Sequence, residues 1–396
     1  MAINHAIFRP EVQEYLQTQE NTNAASIALR KSPFSDILPA ELAQQVEGRQ
    51  RIRKKLPEWY HTLGIYYPPR VNIEQASSAL TAKYKGTLIP ARSRIIDLTG
   101  GFGVDSFYLS QQAATLTYCE QNTALAAIVQ HNFNTLQADN IRGEVTNGVS
   151  FLTAQPDGAF DSVYIDPSRR KNKKKVFLLS DCEPDIVAVQ QLLLKKAQRV
   201  YIKAAPLLDI SETLRLLQNV HEIYIISVEN ECKELLVVLQ NSPCMEPTLI
   251  AAALDRGGSV QTFQFTPTEE REAVPAFALP EAYLYEPDAA LLKAGAFKCI
   301  AQRFNLKKLH PHTHLYTSGH EARHFIGRVF RIMQVIPYAT FKKDYDGIQA
   351  NCNTRNFPLD VVKLQKKHHI RDGGDLFLFF CKGPASELLV IFTSKS

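Results

Sequence analysis

From Arg94 onward, short apolar runs alternate with helix-length segments. The runs are RIIDL (94–98), LTYCE (116–120), DSVYID (161–166) and RVYIKA (199–204). Between them, positions 122–136 and 184–197 carry apolar residues at helical spacing. Such alternation predicts a parallel sheet with helices on both faces. The pattern then changes. EIYIISVE (222–229), a turn at 230–231 and ELLVVLQ (234–240) read as a hairpin, which makes the last strand antiparallel. A second hairpin is predicted from LIAAALD (249–255) and SVQTFQF (259–265), joined by Arg256, Gly257 and Gly258. Prolines 267, 275, 280 and 287 mark 266–287 as a linker, followed by a helix over 288–304. The remaining residues alternate short strands with helix, ending in DLFLFF and LLVIFT, a small α+β unit. Ahead of Arg94 the spacing is helical. Positions 40–56 form one amphipathic helix with a basic end that Pro57 stops, and a second helix is predicted over 73–84.

Candidate chemistry gathers at the carboxyl ends of the runs. IIDLTGGFGVD (95–105) reads strand, glycine loop, helix, with Gly100, Gly101 and Gly103 in the loop. Glycines let the backbone turn tightly and approach a ligand, and a helix start offers unpaired N–H groups. The spacing matches neither a dinucleotide fingerprint nor a P-loop. Asp97 closes the strand just before the loop, where an acid can hold the ammonium of a methionine moiety, and Thr99 shares the loop. Glu120 stands 23 positions later at the next strand tip, placed to bind vicinal ribose hydroxyls. After the third strand, Asn147 can bond an adenine amine, although Asn-Gly is equally an ordinary turn.

DSVYIDPSRR puts Asp166 and Pro167 at the tip of the fourth strand. Their carboxylate and carbonyl oxygens can accept from an acceptor N–H group, which makes them, with Arg169, the catalytic candidates. Arg169, Arg170 and Lys171 are candidate substrate contacts. Six of the seven residues 169–175 are basic, which suits phosphate, while the lysines at 173–175 read as a solvated loop.

DLTGGFGVD, Glu120, DPSRR and YIKAAPLLDI (201–210) resemble the motifs of class I SAM-dependent methyltransferases. From about Leu56 onward the chain resembles a bacterial family with that core, a small ferredoxin-like piece and a THUMP-like C-terminal domain. EQASSALTAKYK (74–85), YEPDAALLKAG (285–295) and TRNFPLDVVKLQKKHHIRDGG (354–374) carry the likeness outside the core. The resemblance implies a doubly wound, mostly parallel seven-stranded α/β sheet with an antiparallel last strand. It divides the chain into an N-terminal helical region (1–88), a methyltransferase core (89–266), a linker and ferredoxin-like piece (267–322) and a THUMP-like domain (323–396). It also implies S-adenosyl-L-methionine as cofactor and RNA as partner. Two departures bear on the acceptor. Amino-group methylases of bases typically stack an aromatic after D/N-P-P, where Ser168 and Arg169 stand here. Carbon-5 methylation of a pyrimidine needs a cysteine nucleophile on the next strand's loop, which reads AAPLLD.

Charge sharpens the partner expectation. The whole chain carries only +5, but residues 303–396 hold 15 Lys/Arg against 7 Asp/Glu and 7 of the 11 histidines. A basic terminal module suits a polyanion, or simply a solvated surface. Seven scattered cysteines without a C-x-x-C pair argue against a zinc or disulfide framework and for a reducing, cytoplasmic setting. His310, His312 and His314 alternate without further ligands at metal spacing, so no metal is expected. Glu11 and Glu14 argue against a secretory leader, and no apolar run reaches the ~18 residues of a membrane span. The leading expectation is a methyltransferase acting on a base nitrogen of RNA. Methylation of a protein or small molecule, and RNA binding by a non-catalytic core, remain the alternatives.

Overall fold

The computed structural model describes residues 3–169 and 179–395. The chain divides into two compact units, one holding 1–221 with 236–244, the other 222–235 with 245–396.

The first unit opens with helices α1 (Pro10–Thr18), α2 (Ala24–Ala28), α3 (Pro39–Lys55), α4 (Pro57–His61), α5 (Arg70–Gln75) and α6 (Ala79–Thr87). In α3 a proline sits in the first turn, Glu41 accepts the Leu38 amide, and Arg53, Lys54 and Lys55 fill the last turn. Both ends thus match the helix dipole. The single helix expected over 73–84 is two helices. Ser78 caps the second by accepting the Thr81 amide, so the chain breaks at Ala76–Ser78. Ile7, Val12, Leu16, Ile27, Leu42 and Val46 form the core under these helices.

The sheet begins with β1 (Arg94–Asp97), then α7 (Val104–Ser110), β2 (Thr115–Cys119), α8 (Thr123–Thr135), β3 (Ile141–Glu144), α9 (Gly148–Ala154) and β4 (Phe160–Ile165). After β5 (Ser168–Arg169) and β6 (Cys182–Glu183), which pair with each other, come α10 (Ile186–Lys196), β7 (Ala197–Ala204) and α11 (Ile210–Leu216). Strands β1, β2, β3, β4 and β7 pair in parallel, and β1 is flanked by β2 on one side and β4 on the other. Their centres are apolar and fully buried, as in Ile95–Ile96, Val163–Ile165 and Val200–Ile202. Parallel strands covered on both faces require that pattern.

The hairpin is β8 (Val220–Val228) and β9 (Glu231–Gln240). Its two-residue loop is Glu229–Asn230, one position earlier than expected, and both residues have positive φ. That conformation matches the twist of the flanking strands. The sheet is mixed and has nine strands, not the expected seven, in the order β11-β10-β8-β9-β7-β4-β1-β2-β3, with β10 (Thr248–Leu254) and β11 (Val260–Phe265) added. The second predicted hairpin accounts for the difference. Its first strand pairs in parallel along the whole of Glu222–Val228, covering a backbone edge that would otherwise stay unpaired.

The expected linker over 266–287 contains structure. Helix α12 (Pro267–Glu272) starts with a capping box between Thr266 and Glu269, and β12 (Tyr283–Pro287) is an inner strand of a second sheet. The helix expected over 288–304 is α13 (Ala289–Ala294) and α14 (Cys299–Arg303), separated because Gly295 ends the first at φ +80°. Then follow β13 (Lys307–Lys308), β14 (Tyr316–Ser318), β15 (Gly327–Pro337), α15 (Tyr338–Asp344), β16 (Asn351–Arg355), α16 (Val361–Lys367), β17 (Phe377–Lys382) and β18 (Leu388–Lys395). The seven-stranded sheet runs β13-β14-β12-β15-β18-β17-β16. β16 is parallel to β17, and α16 makes the crossover between them.

Candidate active site

The turn after β1 is held open from several sides. Asp97 is buried, and its oxygens accept the Thr99 amide at 2.9 Å and the Ser106 hydroxyl at 2.5 Å. The Gly100 amide donates to the Cys119 carbonyl, and the Tyr118 hydroxyl donates to Gly101 O at 2.6 Å. A side chain at 100 would collide with the Tyr118 ring, and Gly101 and Gly103 have φ of +53° and +77°. The loop therefore needs glycine for reasons of packing and of backbone angle. Burial pushes the Asp97 carboxyl up to about 7, against the opposing help of the Ser106 and Thr99 hydrogen bonds.

At the neighbouring tip, Glu120 accepts the Gly101 amide at 3.1 Å through Oε2 and the Asn122 amide at 2.7 Å through Oε1. Each oxygen keeps a further lone pair for a hydroxyl donor. Beyond β3, Asn147 caps α9 by accepting the Ser150 amide, and Gly148 lies so close to Leu98 that a Cβ would come within 2.3 Å of its carbonyl oxygen. The three turns are thus packed against one another.

At the tip of β4, the Asp166 amide donates to the Thr99 hydroxyl at 2.7 Å, which ties this strand end to the glycine loop. Lys203, one residue before the end of β7, contacts Asp166 Oδ2 at 2.7 Å and Asp105 Oδ2 at 3.4 Å. Asp105, in the first turn of α7, also pairs with Lys85 at 2.8 Å and accepts from the Ser77 and Tyr164 hydroxyls. Burial opposes ionisation of Asp105, but the Lys85 and Lys203 ammoniums outweigh it and hold its carboxyl well below the usual range. Lys85 is only 1% exposed, so these charges are matched within the protein rather than by water.

All these tips border one cavity of about 1270 Å3. Its walls include Asp97, Thr99, Gly100, Gly101, Gly103, Glu120, Asn147, Asp166 and Pro167, so the structure brings together nine residues that the sequence singled out. The cavity lies at the carboxyl ends of parallel strands, where the chain switches direction around β1, and it is large enough for a nucleoside-sized ligand. Arg169 continues the backbone from this tip as part of β5. Arg170 and Lys171 lie outside the described residues, as do the lysines at 173–175. Sequence reasoning missed the charge chain through Lys85, Asp105 and Lys203. A lysine inside the apolar run RVYIKA was the available signal. Among the described residues, no helix is long and apolar enough to cross a membrane, and no group of three His, Cys, Asp or Glu residues is placed to hold a metal.

Comparisons with known proteins agree with this architecture. A ferredoxin-like domain family matches residues 283–325, and a THUMP domain-like family matches 327–394. The chain is similar to an uncharacterized S-adenosylmethionine-dependent methyltransferase of Mycobacterium tuberculosis, found in two strains. Identity is 25% over 293 residues, 73% of this chain and 76% of the relative. A crystal structure from Porphyromonas gingivalis W83, assigned as a methyltransferase, shares 31% identity over 100% of both chains, with a TM-score of 0.88. The chain belongs to the SAM-dependent methyltransferases that carry a ferredoxin-like piece and a THUMP-like domain at the C-terminal end.

Proposed function

We propose that the enzyme methylates a base nitrogen in RNA, with the donor in the cavity bordered by β1, β2 and β4 and the acceptor at Asp166–Pro167. The fit of the cavity to the donor rests on the glycine loop, where a side chain at 100 would strike Tyr118, on Gly148, where one would strike Leu98, and on acids at successive tips. The order β3-β2-β1-β4-β7-β9-β8 within the nine-stranded sheet resembles the class I plan and supports the same reading. Glu120 holds the ribose hydroxyls, Asn147 meets the adenine, and Gly100, Gly101 and Gly103 let the backbone lie against the donor. Asp97 secures Thr99 and Ser106, and its carboxylate faces the ammonium end of the donor with two bonds already made.

When bound, S-adenosyl-L-methionine supplies an electrophilic methyl group on a sulfonium. The protein's task is to align a nucleophile and to receive the charge that develops on it. The Asp166 carboxylate and the Pro167 carbonyl accept from the acceptor's N–H, which orients the nitrogen lone pair toward the methyl. Arg169, Arg170 and Lys171 follow directly and contact the acceptor's phosphates. The basic C-terminal segment, with 15 Lys/Arg against 7 Asp/Glu, adds salt-sensitive attraction to a polyanion.

The observation that carries this reading is Asp166 standing in the wall of the donor cavity, its amide fixed by Thr99. Transfer of radiolabelled methyl from S-adenosyl-L-methionine to fractionated RNA from a deletion strain tests it. One RNA fraction is expected to become labelled by the wild type and not by Asp166→Ala. Labelling confined to a protein fraction would overturn the RNA assignment, and labelling of a base carbon would overturn the nitrogen assignment.

A further inference from the structure

We propose that Lys203 is a positioning residue: its ammonium fixes the Asp166 carboxylate in the orientation that meets the acceptor. The inference rests on the reading of Asp166 given above and extends it to a residue on a different strand. Lys203 is 11% exposed and reaches between two acids, closer to Asp166 (2.7 Å) than to Asp105 (3.4 Å). Asp105 depends on Lys203 only in part, because Lys85, Ser77 and Tyr164 also serve it. Asp166 is in the opposite position. Its side chain is 38% exposed at the cavity wall, and Lys203 at Oδ2 is its side-chain partner among the described residues. With the backbone amide on Thr99 and Oδ2 on Lys203, rotation about the side chain is restricted and Oδ1 remains for an acceptor N–H.

The rest of the chain of charges explains why a lysine can stand there. A lone ammonium near a sulfonium would weaken donor binding. Lys85, Asp105, Lys203 and Asp166 alternate in sign, two positive and two negative, so these four side chains together add no net charge beside the cavity. Glu183 and Asp185 also border the cavity and add negative charge that suits a cationic donor. Buried ion pairs are costly to dehydrate, and one kept for the arrangement it specifies accords with a positioning role.

The test needs no methyl acceptor. Sinefungin carries a protonated amine where the donor carries its transferable methyl, whereas S-adenosylhomocysteine has nothing at that position. Calorimetry on the full chain measures the affinity ratio of the two. A preference of about tenfold for sinefungin is expected in the wild type, the scale of one charge-assisted hydrogen bond. Asp166→Asn loses that preference, Lys203→Met loses most of it, and Lys203→Arg retains it, while S-adenosylhomocysteine affinity in the two Lys203 variants stays within about threefold. Simple removal of a cation would instead raise the preference for the cationic ligand. A preference unchanged or raised in Lys203→Met, but lost in Asp166→Asn, overturns the role of Lys203 alone. A preference absent from the wild type, or kept by Asp166→Asn, sinks the Asp166 reading, and the positioning role falls with it. Should Lys203→Met fail to fold by circular dichroism, Lys203→Gln takes its place with the same two criteria.

Discussion

Two clusters of buried charge, one in each unit, are built on opposite plans. In the first unit Lys85, Asp105, Lys203 and Asp166 alternate one for one, and the middle members are almost sealed from water. In the second unit a single carboxylate, Glu286 on β12, is 1% exposed and receives two guanidiniums. Arg328 Nε donates at 2.6 Å and Arg355 donates at 2.5 Å, yet both side chains are more than a third exposed. The first cluster is neutral and turned inward, which suits holding reacting groups in place. The second carries a positive surplus with donors left over toward solvent, which suits contact with an anionic partner. The same side-chain types thus serve geometry in one place and outward attraction in the other, and solvent exposure decides which.

Asp105→Asn should have the largest effect. It leaves Lys85 and Lys203 buried near each other without their shared acid, and removing one partner of a buried pair costs about 3–5 kcal/mol. Urea unfolding measures this, and a loss near zero would mean that the cluster is as hydrated as a surface pair. Next comes Asp97→Asn. Because the folded carboxyl is raised to about 7 from an ordinary 3.8, the folded state holds the proton more tightly. The stability it contributes is present below about pH 4 and lost as pH rises through 7. The wild-type Tm should therefore fall relative to Asp97→Asn between pH 4 and 7, by about 5 °C. A constant difference across that window would show that Asp97 is ionised throughout.

Glu286→Gln should cost less, about 1–2 kcal/mol, since two half-exposed guanidiniums can rehydrate. If it matched Asp105→Asn in urea, the distinction between the clusters would fail. The smallest effect belongs to Arg328→Lys, below about 1 kcal/mol by the same measurement, because Arg355 still serves Glu286. That variant should nevertheless weaken retention on a heparin column if the surplus donors face an anion.

The comparison also explains what the sequence disclosed and what it withheld. Strand cores such as Ile95–Ile96 and Val163–Ile165 were readable because burial on both faces leaves an unbroken apolar run. The nine cavity residues were readable because strand tips and glycine turns are local features. The partnership of Lys203 with Asp105 and Asp166 was not. It exists only because β7 pairs with β4, while α7 brings Asp105 to the same edge, and neither adjacency has a local signature. The break between α5 and α6 was missed because Ser77 and Ser78 sit inside an otherwise helical spacing, and only the cap at Ser78 reveals it. The extension of the sheet by β10 and β11 depended on which edge the second hairpin would find, a tertiary choice.

Trp59 is the chain's only tryptophan. It is fully buried in α4, with its indole edge-on to Phe102 in the glycine loop, 5.1 Å between ring centroids, and to Phe107 at 5.7 Å. The protein therefore carries its own optical reporter. Any ligand that moves Phe102 alters the surroundings of one indole with no other indole emission to mask it, so donor binding can be followed by intrinsic fluorescence without a label.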